Sequence, residues 1–335
     1  MTIFLVDSHS GRAMYDLTFA LIQAAVDSLK GVAHITPVLT SRALDDVSGT
    51  TTFLKCEHLQ RVGAFKFRGA YHAVSHWVTT SPHRTFATVS SGNHAQGLAL
   101  ACQLLGCQAH IAMPITSSSA KRQAVRSYGA TIHDAPDRPR AVALLEQLAH
   151  QLPAIIVHPF NNPFVIAGQG TVMVEFLEQT RELDVVLAPV GGGGLLSGLC
   201  LAAETLRPTL KLYACEPAGA LDAMESVKQN RIIPMTNPVT IADGLRTSLG
   251  DQTLPILRRC LAGFFVVEEQ EILNAMRFAY EQLNLMIEPS SAVALAPVLR
   301  REPALVGRRV GIVLTGGNVD PDVFATAAGP LRARV

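Results

Sequence analysis

The chain has 335 residues, more than one ordinary hydrophobic core holds, so its length predicts two lobes or one large α/β domain with an insertion. Hydrophobic residues make up 48% and charged residues 16%, a composition typical of a compact, well-buried protein and unlike a disordered or coiled one. The 28 basic and 27 acidic side chains nearly cancel, which argues against nucleic acid or an anionic membrane as partner and favours a small-molecule role.

The six cysteines are scattered through apolar segments without a C-x-x-C pair, which predicts reduced thiols in a cytoplasmic protein. No apolar run reaches the roughly 18 residues that a membrane span needs. The stretch 1–14 lacks a basic region and a cleavage site, so we assign it no targeting role.

Apolar, β-rich runs alternate with helical patterns along nearly the whole chain. The first series predicts helices over 21–29, 68–77, 95–106, 118–129 and 140–151, and strands over 51–57, 85–90, 108–114, 131–135 and 154–160. The second series predicts helices over 170–179, 195–206 and 268–283, and strands over 184–190, 211–217 and within 310–318. Such alternation predicts parallel sheets with helices on both faces, and ligands bound beyond the carboxyl ends of the strands.

Lys66 lies between two phenylalanines in GAFKFRGA (63–70). Flanking aromatic side chains can remove water from a lysine, lower the pKa of its amine and leave it nucleophilic enough to form a Schiff base. A solvated lysine at a strand edge is the more common case, so this segment alone is a weak indication of a reactive lysine.

Two serines, Ser90 and Ser91, stand in TVSSGNHAQG (88–97) after a predicted strand and before a predicted helix. A hydroxyl at such a point can cap the helix, and it can equally carry chemistry. The stretch by itself leaves both roles open.

Four consecutive glycines, 191–194, follow the predicted strand 184–190 and precede a helical pattern. Successive glycines let backbone N–H groups converge on an anion in front of the positive end of the next helix, which favours a phosphate cradle over a merely close-packed turn. No Gly-Lys-Ser/Thr follows, and Ser197 stands at the third glycine position of G-x-G-x-x-G, so neither common nucleotide motif is complete.

Glu216 and Asp222 stand on either side of several backbone carbonyls in ACEPAGALDAM (214–224). Oxygen ligands at this spacing can hold Mg²⁺ or Ca²⁺ together with water. Asp222 can instead cap a helix, and Glu216 can contact a ribose if the fold binds a dinucleotide.

The order of the motifs is more specific than any single one: FKFRGA, SSGNHAQG, PVGGGG, CEPAGALD, IADG, IEPSSA and LTGGNVD. In this order they resemble the fold-type-II pyridoxal-phosphate (PLP) enzymes, in particular the serine racemase and serine/threonine dehydratase family with its 3-hydroxyaspartate dehydratase-like members. The resemblance, from about 34 to 320, implies an α/β fold like that of tryptophan synthase β. Two open, twisted, mostly parallel sheets flanked by helices would hold the active site between two lobes. It also implies a large PLP-binding domain formed by 1–77 and 161–335 and a small mobile domain over 84–155.

The resemblance implies the PLP contacts position by position. Lys66 matches the Schiff-base lysine that also moves the Cα proton, and Phe65 matches the residue packed beside the pyridine ring. Asn93 matches the partner of the phenolic oxygen, and Thr315 the hydroxyl near the pyridine nitrogen. The other cofactor contacts that it implies are the phosphate cradle of Gly191, Gly192, Gly193, Gly194 and Leu195, together with Glu288 of IEPSSA.

The resemblance also implies which residues meet the substrate. Ser90, Asn93 and His94 belong to the loop that receives the substrate carboxylate. Ser91 stands where racemases and 3-hydroxyaspartate dehydratases have a serine on the opposite face of Cα from the lysine. Arg140 falls about where serine racemase has an arginine that can meet a second carboxylate.

A divalent-cation site for Mg²⁺, Mn²⁺ or Ca²⁺ is likewise implied, formed by Glu216, the Ala220 carbonyl and Asp222. Members of the family also imply a homodimer. The partners that we expect are a small amino-acid substrate and a second copy of the chain, with no nucleic acid and no membrane.

These features predict a PLP-dependent ammonia-lyase that converts a β-hydroxy amino acid (threonine, serine or 3-hydroxyaspartate) to a 2-oxo acid and ammonia by β-elimination. The alternative is an amino-acid racemase that uses Lys66 and Ser91 as bases on the two faces of Cα. A remote alternative is a dinucleotide-dependent oxidoreductase built on the glycine loop and Glu216, which leaves Lys66 and SSGNH unexplained.

Overall fold

The computed structural model describes residues 16–180 and 182–329, and it contains two separate β-sheets flanked by helices. The predictions about the stretch 1–14 lie outside the described residues. The helices are α1 (Phe19–Leu29), α2 (Arg42–Ser48), α3 (Lys66–Thr80), α4 (Asn93–Leu104), α5 (Ser119–Ser127), α6 (Arg138–Gln151), α7 (Pro163–Gln179), α8 (Gly194–Leu206), α9 (Asp222–Gln229), α10 (Thr253–Cys260), α11 (Glu269–Leu283), α12 (Pro289–Ala292), α13 (Ala296–Leu299) and α14 (Pro321–Ala328).

The larger sheet has six strands in the order β1-β2-β10-β7-β8-β9. Its strands are β1 (Val38–Leu39), β2 (Thr51–Lys55), β7 (Val185–Pro189), β8 (Lys211–Pro217), β9 (Leu261–Val267) and β10 (Arg309–Val313). All neighbouring strands run parallel except β1 and β2. The central strands are buried on both faces: Val186 packs into the cluster around α7 and α8, whereas Leu187 packs into the cluster with α11. This two-sided burial explains the continuous apolar run of β7.

The smaller sheet has four parallel strands in the order β5-β4-β3-β6. Its strands are β3 (Thr85–Val89), β4 (Gln108–Pro114), β5 (Thr131–Ala135) and β6 (Ile155–Ile156). Helices α3 and α4 cover one face, and α6 covers the other with Leu145 and Leu148. The division into a large domain and a mobile small domain stays a prediction.

Every helix and strand predicted from the sequence is present, whereas β1, β9 and the short helices α2, α9, α10, α12, α13 and α14 were not predicted. The strand predicted over 154–160 is wrong beyond Ile156, because the chain leaves the sheet before the turn that carries Pro159. Strand β9 was not predicted, although its sequence LAGFFVV is a continuous apolar run; it lies at an edge of the large sheet, with most of its side chains half-buried.

A buried ionic network fixes the first turn of α3. Arg68, which is fully buried, donates from Nε and Nη2 to the Glu57 carboxylate at 2.8 Å each. It also donates from Nη1 to Glu175 of α7 at 2.6 Å, and Glu175 accepts a further bond from the buried Lys55. Because each buried charge has an opposite charge within hydrogen-bond distance, the network can stay ionised inside the protein. It ties α3 to α7 and to the end of β2.

No helix in the described ranges is long and apolar enough to cross a membrane.

Candidate active site

A cleft opens where the carboxyl ends of strands from both sheets meet. Its lining includes Phe65 and Lys66, the segment 89–94, Lys121, Arg138, Pro159 and Phe160, the segment 191–196, the segment 243–247, Glu288, Ser290 and Thr315. The motifs that are far apart in sequence therefore meet in one place, as expected for loops that follow parallel strands.

Lys66 begins α3, and its amine points into the cleft. Nζ donates a hydrogen bond of 2.9 Å to the Pro159 carbonyl and lies 5.1 Å from the centre of the Phe65 ring. Burial lowers the pKa of Lys66 to about 8, the Glu288 carboxylate opposes this effect, and Arg138 adds to it. About a tenth of the amine is therefore neutral, and hence nucleophilic, at pH 7.

The glycine loop 191–194 joins β7 to α8 and needs glycine for reasons of space and conformation. Gly193 has φ of +84°, in the left-handed region, and a Cβ at Gly192 would lie 2.3 Å from the Phe160 ring. The Thr253 hydroxyl fixes the loop by donating to the Gly192 carbonyl at 2.9 Å. The loop and the first turn of α8 thus present backbone N–H groups and the positive end of the helix, which suits a phosphate group.

Asn93, the first residue of α4, lies beside Glu288. Its Nδ2 donates to both carboxylate oxygens of Glu288, at 2.9 and 3.0 Å, and its Oδ1 accepts from Asn318 Nδ2 at 2.8 Å. Burial and the nearby Asp243 carboxylate raise the pKa of Glu288 to about 7, against the effect of the Asn93 amide. Asn93 thus joins Glu288, in the lining of the cleft, to Asn318 on the segment after β10.

Phe65 and Thr315 are held together by the backbone. The Phe65 N–H donates to the Thr315 carbonyl at 3.0 Å, and Ala64 pairs with Gly316 in an isolated antiparallel bridge. Thr315 is buried and lines the cleft. This bridge joins the lysine segment to the segment that follows β10.

The two serines of SSGNH have different positions. The Ser90 hydroxyl accepts the N–H groups of Gly92 and Ala95, at 3.2 and 3.3 Å, and so caps the start of α4. Ser91 is exposed, lines the cleft and makes no hydrogen bond with its hydroxyl among the described residues. The capping role left open by the sequence therefore belongs to Ser90.

His94 lines the cleft, but its ring is turned away toward the small sheet. Its Nε2 lies 3.1 Å from the Val157 carbonyl and donates to it, because a carbonyl can only accept. Burial, followed by the charge of Lys66, lowers the pKa of His94 to about 3, so the ring is neutral. The backbone N–H of His94, rather than its ring, is the group that can receive a carboxylate.

Arg140 is not brought to the cleft. It is exposed and pairs with Asp137, the residue that caps α6, through the one-turn spacing of that helix. Arg138, two residues earlier, lines the cleft instead. Burial lowers the pKa of Arg138, with no acidic side chain opposing that effect. Helix geometry separates these two arginines, since residues two apart point in different directions.

Sequence reasoning missed Lys121, Arg138 and Asp243 as lining residues. Each is a charged residue in an otherwise ordinary helix or turn, and nothing local marks it as facing a cleft. The segment IADG (241–244) belongs to the ordered series of motifs that resembles the family, but the sequence assigned no role to Asp243.

Glu216 and Asp222 lie together at the carboxyl end of β8 and the start of α9. The Glu216 carboxylate accepts the N–H groups of Ala223 and Met224, at 2.7 and 2.9 Å, whereas Asp222 Oδ2 is buried without a hydrogen-bond partner. Burial raises the pKa of Glu216 to about 8 and that of Asp222 to about 7. Across the described ranges, no cluster of three or more His, Cys, Asp or Glu side chains could hold a metal ion.

Comparison with known proteins agrees with this geometry. The family model described as pyridoxal-phosphate dependent enzyme matches residues 30–316. Serine racemase of Arabidopsis thaliana is 41% identical over 319 residues, covering 93% of this chain and 96% of that protein. L-threo-3-hydroxyaspartate ammonia-lyase of a Pseudomonas species is 41% identical over 305 residues, covering 90% of this chain and 95% of that protein.

The structure of maize serine racemase superimposes with a TM-score of 0.89 at 36% identity, covering 92% of this chain and 95% of the other. The family resemblance and the predicted fold class are thereby confirmed. The chain belongs to the pyridoxal-phosphate dependent enzymes of fold type II.

Proposed function

We propose that this protein is a PLP-dependent ammonia-lyase that converts a β-hydroxy amino acid, either 3-hydroxyaspartate or threonine and serine, to a 2-oxo acid and ammonia. The observation that carries this proposal is the Lys66 amine, which lies with a lowered pKa in the cleft that also contains the glycine loop. An amine of this kind can hold a carbonyl cofactor and then serve as the base at Cα.

The residues of the cleft fit PLP. A Cβ at Gly192 or Gly194 would clash with Phe160, so only glycine lets the loop pack this closely, and its backbone N–H groups and the positive end of α8 suit a phosphate. Phe65, Asn93, Glu288 and Thr315 line the same cleft, where they can pack and hydrogen-bond against a ring. Bound PLP would supply an electron sink for the charge that develops at Cα.

The substrate carboxylate fits the start of α4. The backbone N–H groups in the first turn of this helix have no partner inside the helix, and they carry its positive end. Ser90 holds this turn through its two capping bonds. The carboxylate would thus be held by backbone, while Lys66 takes the Cα proton and the β-hydroxyl leaves as water.

Arg138 replaces Arg140 in our proposal as the residue that meets a second carboxylate. It lines the cleft, and none of the ion pairs of the described residues involves its guanidinium. An unpaired arginine in a cleft is suited to a bidentate contact with a carboxylate. This arrangement favours 3-hydroxyaspartate, and the relative from Pseudomonas carries that substrate in its name.

The substitution Arg138→Met tests the substrate. Loss of a hydrogen bond to a charged group should raise the KM for L-threo-3-hydroxyaspartate by about 10- to 100-fold, while the KM for L-threonine changes less than about twofold. The measurement is release of ammonia and 2-oxo acid by the holoenzyme over a range of each amino acid.

Arg140→Met is the matched control, because it removes an arginine of the same helix that pairs with Asp137 at the surface. It should leave both KM values unchanged. Equal effects of the two substitutions would contradict the assignment of Arg138, and absence of 2-oxo acid from every β-hydroxy amino acid would contradict the lyase itself.

The Lys66 amine predicts a pH profile for cofactor capture. With a pKa of about 8, the neutral fraction rises about fivefold from pH 7 to pH 8 and less than twofold from pH 8 to pH 9. The rate at which the apoenzyme traps PLP, followed by borohydride reduction, should rise and level off in the same way. Free Nα-acetyl-lysine, with an ordinary pKa, should instead keep rising about tenfold per pH unit. A tenfold rise from pH 8 to pH 9 in the protein would show that Lys66 is not perturbed.

We also propose that Glu216, Asp222 and the Ala220 carbonyl hold a divalent cation. The support is the unpartnered, buried Oδ2 of Asp222 beside a second buried carboxylate, since a cation would stabilise both in their charged forms. The ion would stabilise the link between β8 and α9, outside the cleft that contains Lys66.

Cation affinity should therefore depend on pH. With raised pKa values of about 8 and 7, Glu216 and Asp222 must lose protons to bind Mg²⁺ or Mn²⁺, so affinity should increase by about tenfold or more from pH 6 to pH 8. The shift in thermal midpoint on adding Mg²⁺, or on removing it with EDTA, measures this. Glu216→Gln should abolish the shift, whereas Glu225→Gln, which changes a residue of α9 that pairs with Lys228, should keep it. A shift that survives Glu216→Gln would refute the site.

Racemisation is a second candidate activity, favoured by the free Ser91 hydroxyl in the cleft and by the relatives named serine racemase. A second acid or base opposite Lys66 would allow proton transfer on both faces of Cα. Elimination needs Lys66 alone.

Ser91→Ala separates the two activities. It should abolish solvent exchange of the Cα proton from one face while elimination of the opposite enantiomer continues, as followed by NMR in deuterated water. Its thermal midpoint should stay that of the wild type, because Ser91 caps nothing, whereas Ser90→Ala should cost about 1 kcal/mol as a lost helix cap. Unchanged exchange in Ser91→Ala would remove the case for a second base.

A homodimer and a cytoplasmic location complete the proposal. The support for the dimer is the family resemblance, and sedimentation of the holoenzyme tests it. The support for the location is that all six cysteines are free thiols, as expected in a reducing compartment.

A further inference from the structure

We propose that Lys121 and Asp243 form a strap across the cleft that holds the SSGNH loop in its substrate-binding position. Lys121 is then a positioning residue, which acts on the substrate through the loop. This inference rests on the proposed function, because the ligand of the loop is the amino-acid substrate. The contacts that carry it join the two sheets and do not involve Lys66.

The strap joins elements of different sheets. Lys121 lies on α5, which connects strands β4 and β5 of the small sheet, and Asp243 lies on the short 3-10 turn Asp243–Leu245 among the loops of the large sheet. Lys121 Nζ donates to Asp243 Oδ2 at 2.6 Å. The lysine side chain is 10% exposed and the aspartate side chain 48% exposed, so one end is enclosed and the other can separate.

Both ends of the strap touch segments that line the cleft. A Cβ built at Gly92 would lie 3.8 Å from Lys121 Cδ and 4.0 Å from its Nζ, so the lysine stem runs along the SSGNH loop. At the other end, the N–H of Gly244 donates to the Ser290 hydroxyl at 3.0 Å, two residues from Glu288. If the Lys121–Asp243 pair separates, Lys121 and the SSGNH loop beside it are released, whereas Gly244 keeps its hydrogen bond to Ser290.

The surrounding charges keep the strap ionised. Burial lowers the pKa of Lys121, but the carboxylates of Asp243, Glu288 and Asp320 more than offset this and leave it above the ordinary value. The neighbouring residue on α5, Arg122, pairs with Asp134 of β5 at 2.5 Å, inside the small sheet. The helix thus carries one ion pair across the cleft beside another that does not cross it.

An ion pair of this exposure shifts the equilibrium between held and released loop by a modest factor. The apparent dissociation constant for a ligand of the held loop rises as the held fraction falls. Breaking the pair from either end should then weaken ligand binding by the same factor, and breaking it twice should add nothing.

The probe is glycine, which has the amino and carboxylate groups of a substrate but no β-hydroxyl to eliminate. Its dissociation constant is measured on the holoenzyme from the visible absorbance of the cofactor. Lys121→Met and Asp243→Asn should each raise it about fivefold, and the double variant should also be about fivefold weaker than wild type. Arg122→Met should leave it unchanged.

The direction in which the dissociation constant for glycine changes distinguishes the strap from a simpler explanation. If Lys121 only attracted the substrate carboxylate by its charge, removal of the Asp243 carboxylate would tighten glycine binding. Tighter binding in Asp243→Asn, a double variant about 25-fold weaker, or an equal loss in Arg122→Met would each overturn the strap. The half-exposed Asp243 can be replaced without disturbing the core, so the test does not depend on the folding of Lys121→Met.

Amide hydrogen exchange separates this inference from the proposed function. Residues 90–94 and 119–127 should exchange faster in both single variants than in wild type, whichever amino acid the enzyme turns over. Unchanged exchange in both variants would overturn the strap. Failure to release 2-oxo acid, with faster exchange in the variants, would overturn the lyase and leave the strap standing.

Discussion

A buried guanidinium determines where the reactive lysine lies. Arg68 sits two residues after Lys66 and binds Glu57 and Glu175 with its side chain fully enclosed. Removing either carboxylate would leave the two buried cations Arg68 and Lys55 with one counterion between them, which costs far more than an exposed pair contributes. The first turn of α3 therefore has one stable position, and the Lys66 amine points into the cleft because of it.

The two sheets contribute different residues to the site. The large sheet supplies the glycine loop and Thr315, which follow the central strands β7 and β10, and with them in the cleft lies Glu288, which immediately precedes α12. The small sheet supplies the SSGNH loop, Lys121 and Arg138. Contacts between side chains, such as Asn93 to Glu288 and Lys121 to Asp243, join the two groups at the cleft. Affinity for a substrate thus depends on interactions that can be changed without altering either core.

Electrostatics at the site follow from burial more than from local sequence. Lys66, Glu288 and His94 all have pKa values moved toward their neutral forms, and burial is the largest cause in each case. A lysine between two phenylalanines gave only a weak indication of this effect, because most residues that line the cleft around the amine are distant from it in sequence. The ring of His94, turned to the Val157 carbonyl, shows the same dependence on neighbours distant in sequence.

By itself the sequence determined the α/β class, most element types and the meeting of the motifs beyond strand ends, because hydrophobic periods and glycine requirements are local. It also indicated the family, because Lys66, SSGNH and the glycine loop follow one another in the order typical of that family. Only the tertiary structure decided that Ser90 caps α4 while Ser91 is free, and that Arg138 rather than Arg140 faces the cleft. Those choices depend on helix phase and on packing between the two sheets, which no local pattern encodes.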